Sequence, residues 1–277
     1  MRLKRLLPLL PVTVLAAQEP MPFLDAGPGV EHGWSVSLGA RVMDRPAYLG
    51  SDRQHTGLLP VLSAEYDRRW FLGTSRVGPG FGGGAHLVQS GGFTWDLGAG
   101  FGDSRPESRA PLLAGMGDEK AYLFVGTGVH YRRRGFSAGL TLSHGLREDA
   151  GDLATLTVSQ TVPLAPRWHL TAGLHGTWAD TDAMAYNFGI SPAQATNRAA
   201  LAASGAASFT PAQIGPFSPS AGARDAGGLL GLSWRPQPRW TWTVGVRGGV
   251  LLGDLRGSPL VARNDYYGVG LGFAYHF

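Results

Sequence analysis

Ser143 and His144 are the first residues to weigh for chemistry, because a hydroxyl beside an imidazole is the minimum nucleophile–base pair. They are neighbours in a run that alternates apolar and small polar residues, Leu140-Thr141-Leu142-Ser143-His144. Adjacent side chains of a strand point to opposite faces, so this pair cannot meet. His169 and His175 share a face, but six residues of strand put them roughly 20 Å apart, too far for a hydrolytic dyad or a shared metal. The glycines at 80–84 suggest a phosphate loop, yet neither a helix nor a P-loop lysine follows, and the segment reads as a flexible turn. There is no cysteine, hence no thiolate metal site and no disulfide framework. The sequence therefore assigns no catalytic, cofactor-binding or metal residues, and the chain is read as not an enzyme. What remains are charged side chains, and their meaning depends on the elements that carry them.

Those elements are strands. Trp34, Val36, Leu38, Ala40 and Val42 alternate with Ser35, Ser37, Gly39 and Arg41. The same period of two recurs from Phe93 to Phe101, from Trp168 to His175 and from Trp240 to Arg247. The 42 glycines oppose a helical protein, and no run of about eighteen apolar residues exists to cross a membrane as a helix. A soluble sandwich would also alternate, with shorter strands and its apolar face inward. Here the polar face is rich in glycine and serine, as a narrow hydrated lumen requires. The fold class is all-β: a transmembrane antiparallel β-barrel with short periplasmic turns and longer extracellular loops.

Short turns fall at 67–69, 90–92, 132–135, 164–167 and 236–239, alternating with longer connections at 43–56, 103–118, 146–151, 179–224 and 254–264. A further reversal at Gly78-Pro79-Gly80 keeps the parity and gives about 12 strands; without it, 10 is the rival count. Trp34, Tyr66, Trp70, Phe93, Trp168, Trp178, Trp234, Trp240 and Tyr267 sit near strand ends, where headgroup-level girdles are expected.

Residues 1–17 read as a signal peptide: Arg2, Lys4 and Arg5, a short apolar core, then a small-residue cleavage site. Residues 18–32 follow as a periplasmic leader, and 33–277 as the barrel, with 179–224 a long extracellular loop. Losing three cations with the signal leaves the mature chain close to neutral, so the overall basic balance implies no nucleic-acid partner. Within the long loop, Ser191-Pro192-Ala193-Gln194 predicts a capped helix running to about Ala203 and ended by Gly205.

Charge is distributed unevenly. The periplasmic turns carry Arg68, Arg69, Arg132, Arg133, Arg134, Arg167, Arg235 and Arg239, opposed only by Asp67, while acids gather at the other end. Such a rim can meet anionic outer-membrane lipids or dock an acidic periplasmic surface. Arg41, Glu65, Asp96 and Arg247 are expected to face the lumen, either lining a pore or, as the favoured reading, pairing across it. In the closing strand, Gly272, Tyr275 and the terminal Phe277 resemble the signal read by the outer-membrane assembly machinery. Leu271 departs from it, standing where a polar residue is commoner.

Several blocks together resemble the MipA/OmpV family (MltA-interacting protein). They are Pro46-Ala47-Tyr48-Leu49-Gly50-Ser51-Asp52, Leu59-Pro60, Trp70-Phe71-Leu72-Gly73, Leu113-Ala114-Gly115-Met116-Gly117-Asp118, Asn187-Phe188-Gly189-Ile190-Ser191-Pro192-Ala193-Gln194-Ala195, Leu251-Leu252-Gly253-Asp254 and Ser258-Pro259-Leu260-Val261. The segment 202–222 is longer and richer in Ala, Ser and Pro than the family's usual one, so no contact is carried over to it. The resemblance implies a non-catalytic scaffold of the cell envelope at the bacterial outer membrane, bridging a lytic transglycosylase and a murein synthase in peptidoglycan metabolism. The alternatives are a small-solute channel or an adhesin working through the long loop.

Overall fold

The structure is a computed structural model that describes residues 32–74 and 76–277; the expected signal peptide and residues 18–31 of the leader lie outside the described residues. Twelve strands among the described residues close into one antiparallel barrel, each paired to its sequence neighbours and β1 to β12. They are β1 (Trp34–Pro46), β2 (Gln54–Tyr66), β3 (Trp70–Thr74), β4 (Phe81–Ser90), β5 (Phe93–Phe101) and β6 (Leu123–Arg133). There follow β7 (Phe136–Gly145), β8 (Asp152–Ala165), β9 (Trp168–Ala179), β10 (Gly222–Gln237), β11 (Trp240–Leu251) and β12 (Asp265–His276). The reversal through Gly78-Pro79-Gly80 is present, so the count is twelve and not ten. Closure removes the edge that an open sheet would leave, the condition for spanning lipid with strands.

Alternation sorts the two faces. On β9, Leu174 is 69% exposed and its neighbour His175 only 6%, the signature of an apolar outer band around a polar interior. Aromatic pairs mark the short-turn end: Trp34 with Tyr66 at 5.0 Å, Phe93 with Tyr131 at 4.6 Å and Trp240 with Tyr275 at 5.0 Å. Cross-strand rings of this kind strengthen the sheet while holding the headgroup level.

Two expectations about connections need correcting. β1 and β2 run on to Pro46 and from Gln54, so their connection is 47–53 rather than 43–56; thirteen register pairs join the two strands along their full length. The glycines 82–84 are not a flexible turn but part of β4, paired with β3 and β5. The reason is space, since a side chain there would strike a neighbouring strand's backbone. β3 is short, and β2 pairs with it only at Ala64, Glu65 and Tyr66. Pro60, without an N–H, fits the outer part of β2 that lacks this partner.

Beyond β3 the chain turns into the barrel. Val77 is fully buried and packs with Phe71 and Phe124, and the Arg76 carbonyl oxygen lies 3.0 Å from His130 Nε2. Part of the lumen is therefore filled by chain.

Candidate docking rim and capped lumen

The short turns set the rim. Asp67 and Arg68 (φ 50° and 53°), Arg134 and Gly135 (50° and 81°) and Gly91 and Gly92 (60° and 93°) have the left-handed pairs that two-residue hairpins require. Arg167 (φ 72°) follows Pro166 in a similar tight reversal. Left-handed backbone costs a non-glycine residue about 1–2 kcal/mol, so arginines at these corners are held against local preference. All eight sequence-singled rim arginines are exposed at the end that also holds both barrel termini. Some are partly engaged: Arg68 donates to Gln89 at 3.4 Å, Arg69 lies 5.8 Å over the Trp70 ring, and Arg239 donates to the Tyr275 hydroxyl at 3.3 Å. Arg132 differs from its neighbours, because it falls on the inward face of β6 and lines the lumen.

Inside, Arg41, Glu65, Asp96 and Arg247 occupy inward positions, but the favoured mutual pairing is not what forms. Asp96, fully buried, lies 2.6 Å from His86 Nδ1 and 3.5 Å from His130 Nε2, and Glu65 reaches His86 at 3.9 Å. His86 and Asp96 are direct register partners on β4 and β5, so histidine reaches the carboxylate before any arginine can. Arg247 is hydrogen-bonded to Tyr266. The sequence reading also missed a second network. Arg224 Nε donates to Asp225 at 2.6 Å, and the Tyr266 hydroxyl donates to the same carboxylate at 2.9 Å while lying 2.8 Å from His175 Nε2. Strict alternation sends Arg224 and Asp225 to opposite faces; a bulge between Ala223 and Asp225 turns both inward. Ser143 is buried while His144 is exposed beside Asp152, so no nucleophile–base pair forms there. Among the described residues no group of three or more His, Asp or Glu could hold a metal.

The opposite end carries a packed cap. The long connection holds α1 (Thr181–Phe188), capped by Asp180, and α2 (Pro192–Ala203), where Ser191 and Gln194 form a capping box and Gly205 takes φ 73° beyond the end. Ala47 and Tyr48, then Ala110, Leu113 and Met116, then Ile190, together with Leu260, form one buried cluster. The first three groups come from the β1–β2, β5–β6 and β9–β10 connections, which leave the barrel four strands apart. Loops so spaced can meet only over the barrel axis, so this cluster covers the mouth. Polar ties fix it: the Tyr48 hydroxyl donates to the Leu260 carbonyl at 2.9 Å and Ser258 to the Phe188 carbonyl at 2.7 Å.

Asp103 lies under this cap, and burial pushes its carboxyl up to about 7 despite Arg45 and Arg109 nearby. An unfolded aspartate loses its proton near 4, so stability falls as pH rises from about 4 to 7 and the full cost persists above. Asp103→Asn is expected to tighten the cap at pH 8 and to change little below pH 4. Hydrogen exchange of α1 and α2 against pH measures this; a constant difference across that window contradicts it.

Over residues 38–277 the sequence matches the family described as MltA-interacting protein MipA. The chain belongs to that family. With the closed barrel, this membership locates it in the bacterial outer membrane. No curated protein sequence matched. Among solved structures, the NanC porin is similar at 8% identity, covering 86% of this chain and 98% of that one with a TM-score of 0.49. OmpT of Vibrio cholerae is similar at 8% identity over 91% and 100%, with a TM-score of 0.38. Likenesses this distant bear on neither partner nor solute.

Proposed function

We propose that this member of the MipA family is a non-catalytic docking protein for murein enzymes, a lytic transglycosylase first and a murein synthase with it. The observation that carries the reading is the exposed arginine rim, in which Arg68, Arg134 and Arg167 occupy left-handed turn positions where glycine would be less strained. A ring of cations on a rigid barrel edge steers an acidic partner and fixes its register. The family's description, an interacting protein of MltA, points the same way. The same rim also meets the anionic lipid headgroups of the inner leaflet. Gly272, Tyr275 and Phe277 would serve earlier, as the stretch read by the assembly machinery.

The test is an affinity pull-down with the refolded barrel of residues 18–277 against a solubilised envelope extract at moderate salt. Recovery of a lytic transglycosylase or murein synthase, lost when Arg132, Arg133 and Arg134 are all changed to Glu, is the expected result. Equal recovery by the reversed barrel contradicts docking through this rim.

A further inference from the structure

The lumen carries two unlike kinds of polar group. A cavity of about 240 Å³ runs from beneath the cap, at Pro46 and Leu49, toward the turns at Arg132 and Ser137. At about 30 Å³ of liquid volume each, that is room for roughly eight waters. Among the described residues it is lined by five arginines, Arg45, Arg76, Arg132, Arg224 and Arg247, against one carboxylate, Asp225. Asp225 is already held by Arg224, by the Tyr266 hydroxyl and by His175 at 3.5 Å. Guanidinium groups confined in a narrow low-dielectric space repel one another and draw in anions, since such walls focus their field.

The strands β7 and β8 add hydroxyls. Ser137, Thr141 and Ser143 on β7 and Thr155, Thr157 and Ser159 on β8 all line the cavity, and the register sets Ser137 against Ser159 and Thr141 against Thr155. Thr141 and Thr157 reach backbone carbonyls only at 3.5 Å, the outer limit of a hydrogen bond, so both can turn to a ligand at little cost. β7 stands six strands from β1, across the barrel from Arg45.

We infer that this cavity is a binding site for a small sugar acid, its carboxylate on Arg45, Arg76 and Arg247 and its hydroxyls on the threonine and serine ladder of β7 and β8. Paired N–H donors suit a carboxylate in bidentate geometry, and the volume suits a single acidic sugar ring. The cap closes the outer end, so the ligand enters from the periplasm past Arg132. The site is independent of the docking reading: either can fail alone.

Calorimetry on the folded barrel in detergent, titrated with D-glucuronate, D-glucose and acetate, tests it. Saturable glucuronate binding, at least about tenfold tighter than acetate and with no glucose signal, is expected. Arg45→Gln with Arg76→Gln should weaken it by about tenfold or more, while Thr155→Val with Thr157→Val should narrow the preference over acetate. Unboiled gel mobility confirms that each variant is folded. Should the arginine variant misfold, competition by inorganic phosphate on the unaltered protein replaces it, and displacement of glucuronate is expected. No saturable binding, equal binding of glucose, or no effect of the folded arginine variant overturns the site. Equal affinity for acetate and glucuronate overturns the sugar-acid assignment.

Discussion

Replacing Arg198 with alanine is expected to loosen the extracellular cap while leaving the barrel strands intact. Arg198 has no exposed surface; its Nε donates to the Gln213 carbonyl at 2.8 Å and one terminal nitrogen to Leu112 and Ala114 at 2.8 and 2.9 Å. Its guanidinium also lies 4.1 Å over the Phe209 ring. One side chain thus ties α2 to the 102–122 connection and to the segment behind it. Truncation removes the charge and leaves three half-buried acceptors without this donor, at up to about 1–3 kcal/mol for each group left unsatisfied. Local destabilisation of about 3–5 kcal/mol should result, the scale of breaking a buried charged network. Lysine should not restore it, because a single ammonium cannot reproduce the planar fork. Hydrogen exchange of α2, or proteolysis of 180–221 in the folded barrel, reports the change; unaltered protection in the alanine variant contradicts the role.

Gly126→Val should cost more, in folding rather than in the cap. A Cβ at Gly126 would lie 1.9 Å from the Val77 carbonyl oxygen and 2.7 Å from that of Leu142, both backbone atoms that cannot rotate away. The inward segment Arg76–Gly80 would have to leave the lumen, taking Val77 off Phe71 and Phe124. Overpacking costs about 1–3 kcal/mol where side chains can give, and more against backbone. A sharply reduced refolding yield is expected, with Gly257→Ala as the neutral control, since nothing stands within 4 Å of a Cβ there. Wild-type yield from the valine variant would mean that the segment does not pack as described.

These two residues also show where the sequence stops being legible. Alternation was enough to place most strands, because the period of two follows directly from which face meets lipid. Gly126 is one glycine among many until the structure brings Val77, distant in sequence, against it. The Ser191 capping box is local chemistry and readable, whereas α1 rests on Asp180 alone and gives no comparable signature. The pairing of Asp96 with His86 depends on register, which a one-residue slip would invert. Arg224 escaped notice because a bulge breaks the alternation that located the other inward charges. The rim arginines were legible in composition, but the strain of their turns was not.

The docking claim is tested most directly by titrating a purified lytic transglycosylase of the MltA type onto the folded barrel at increasing salt. Saturable binding is expected, weakening with salt and falling by about tenfold or more when Arg132, Arg133 and Arg134 are reversed to Glu. Binding that is absent at low salt, or present and indifferent to both salt and charge reversal, would contradict it.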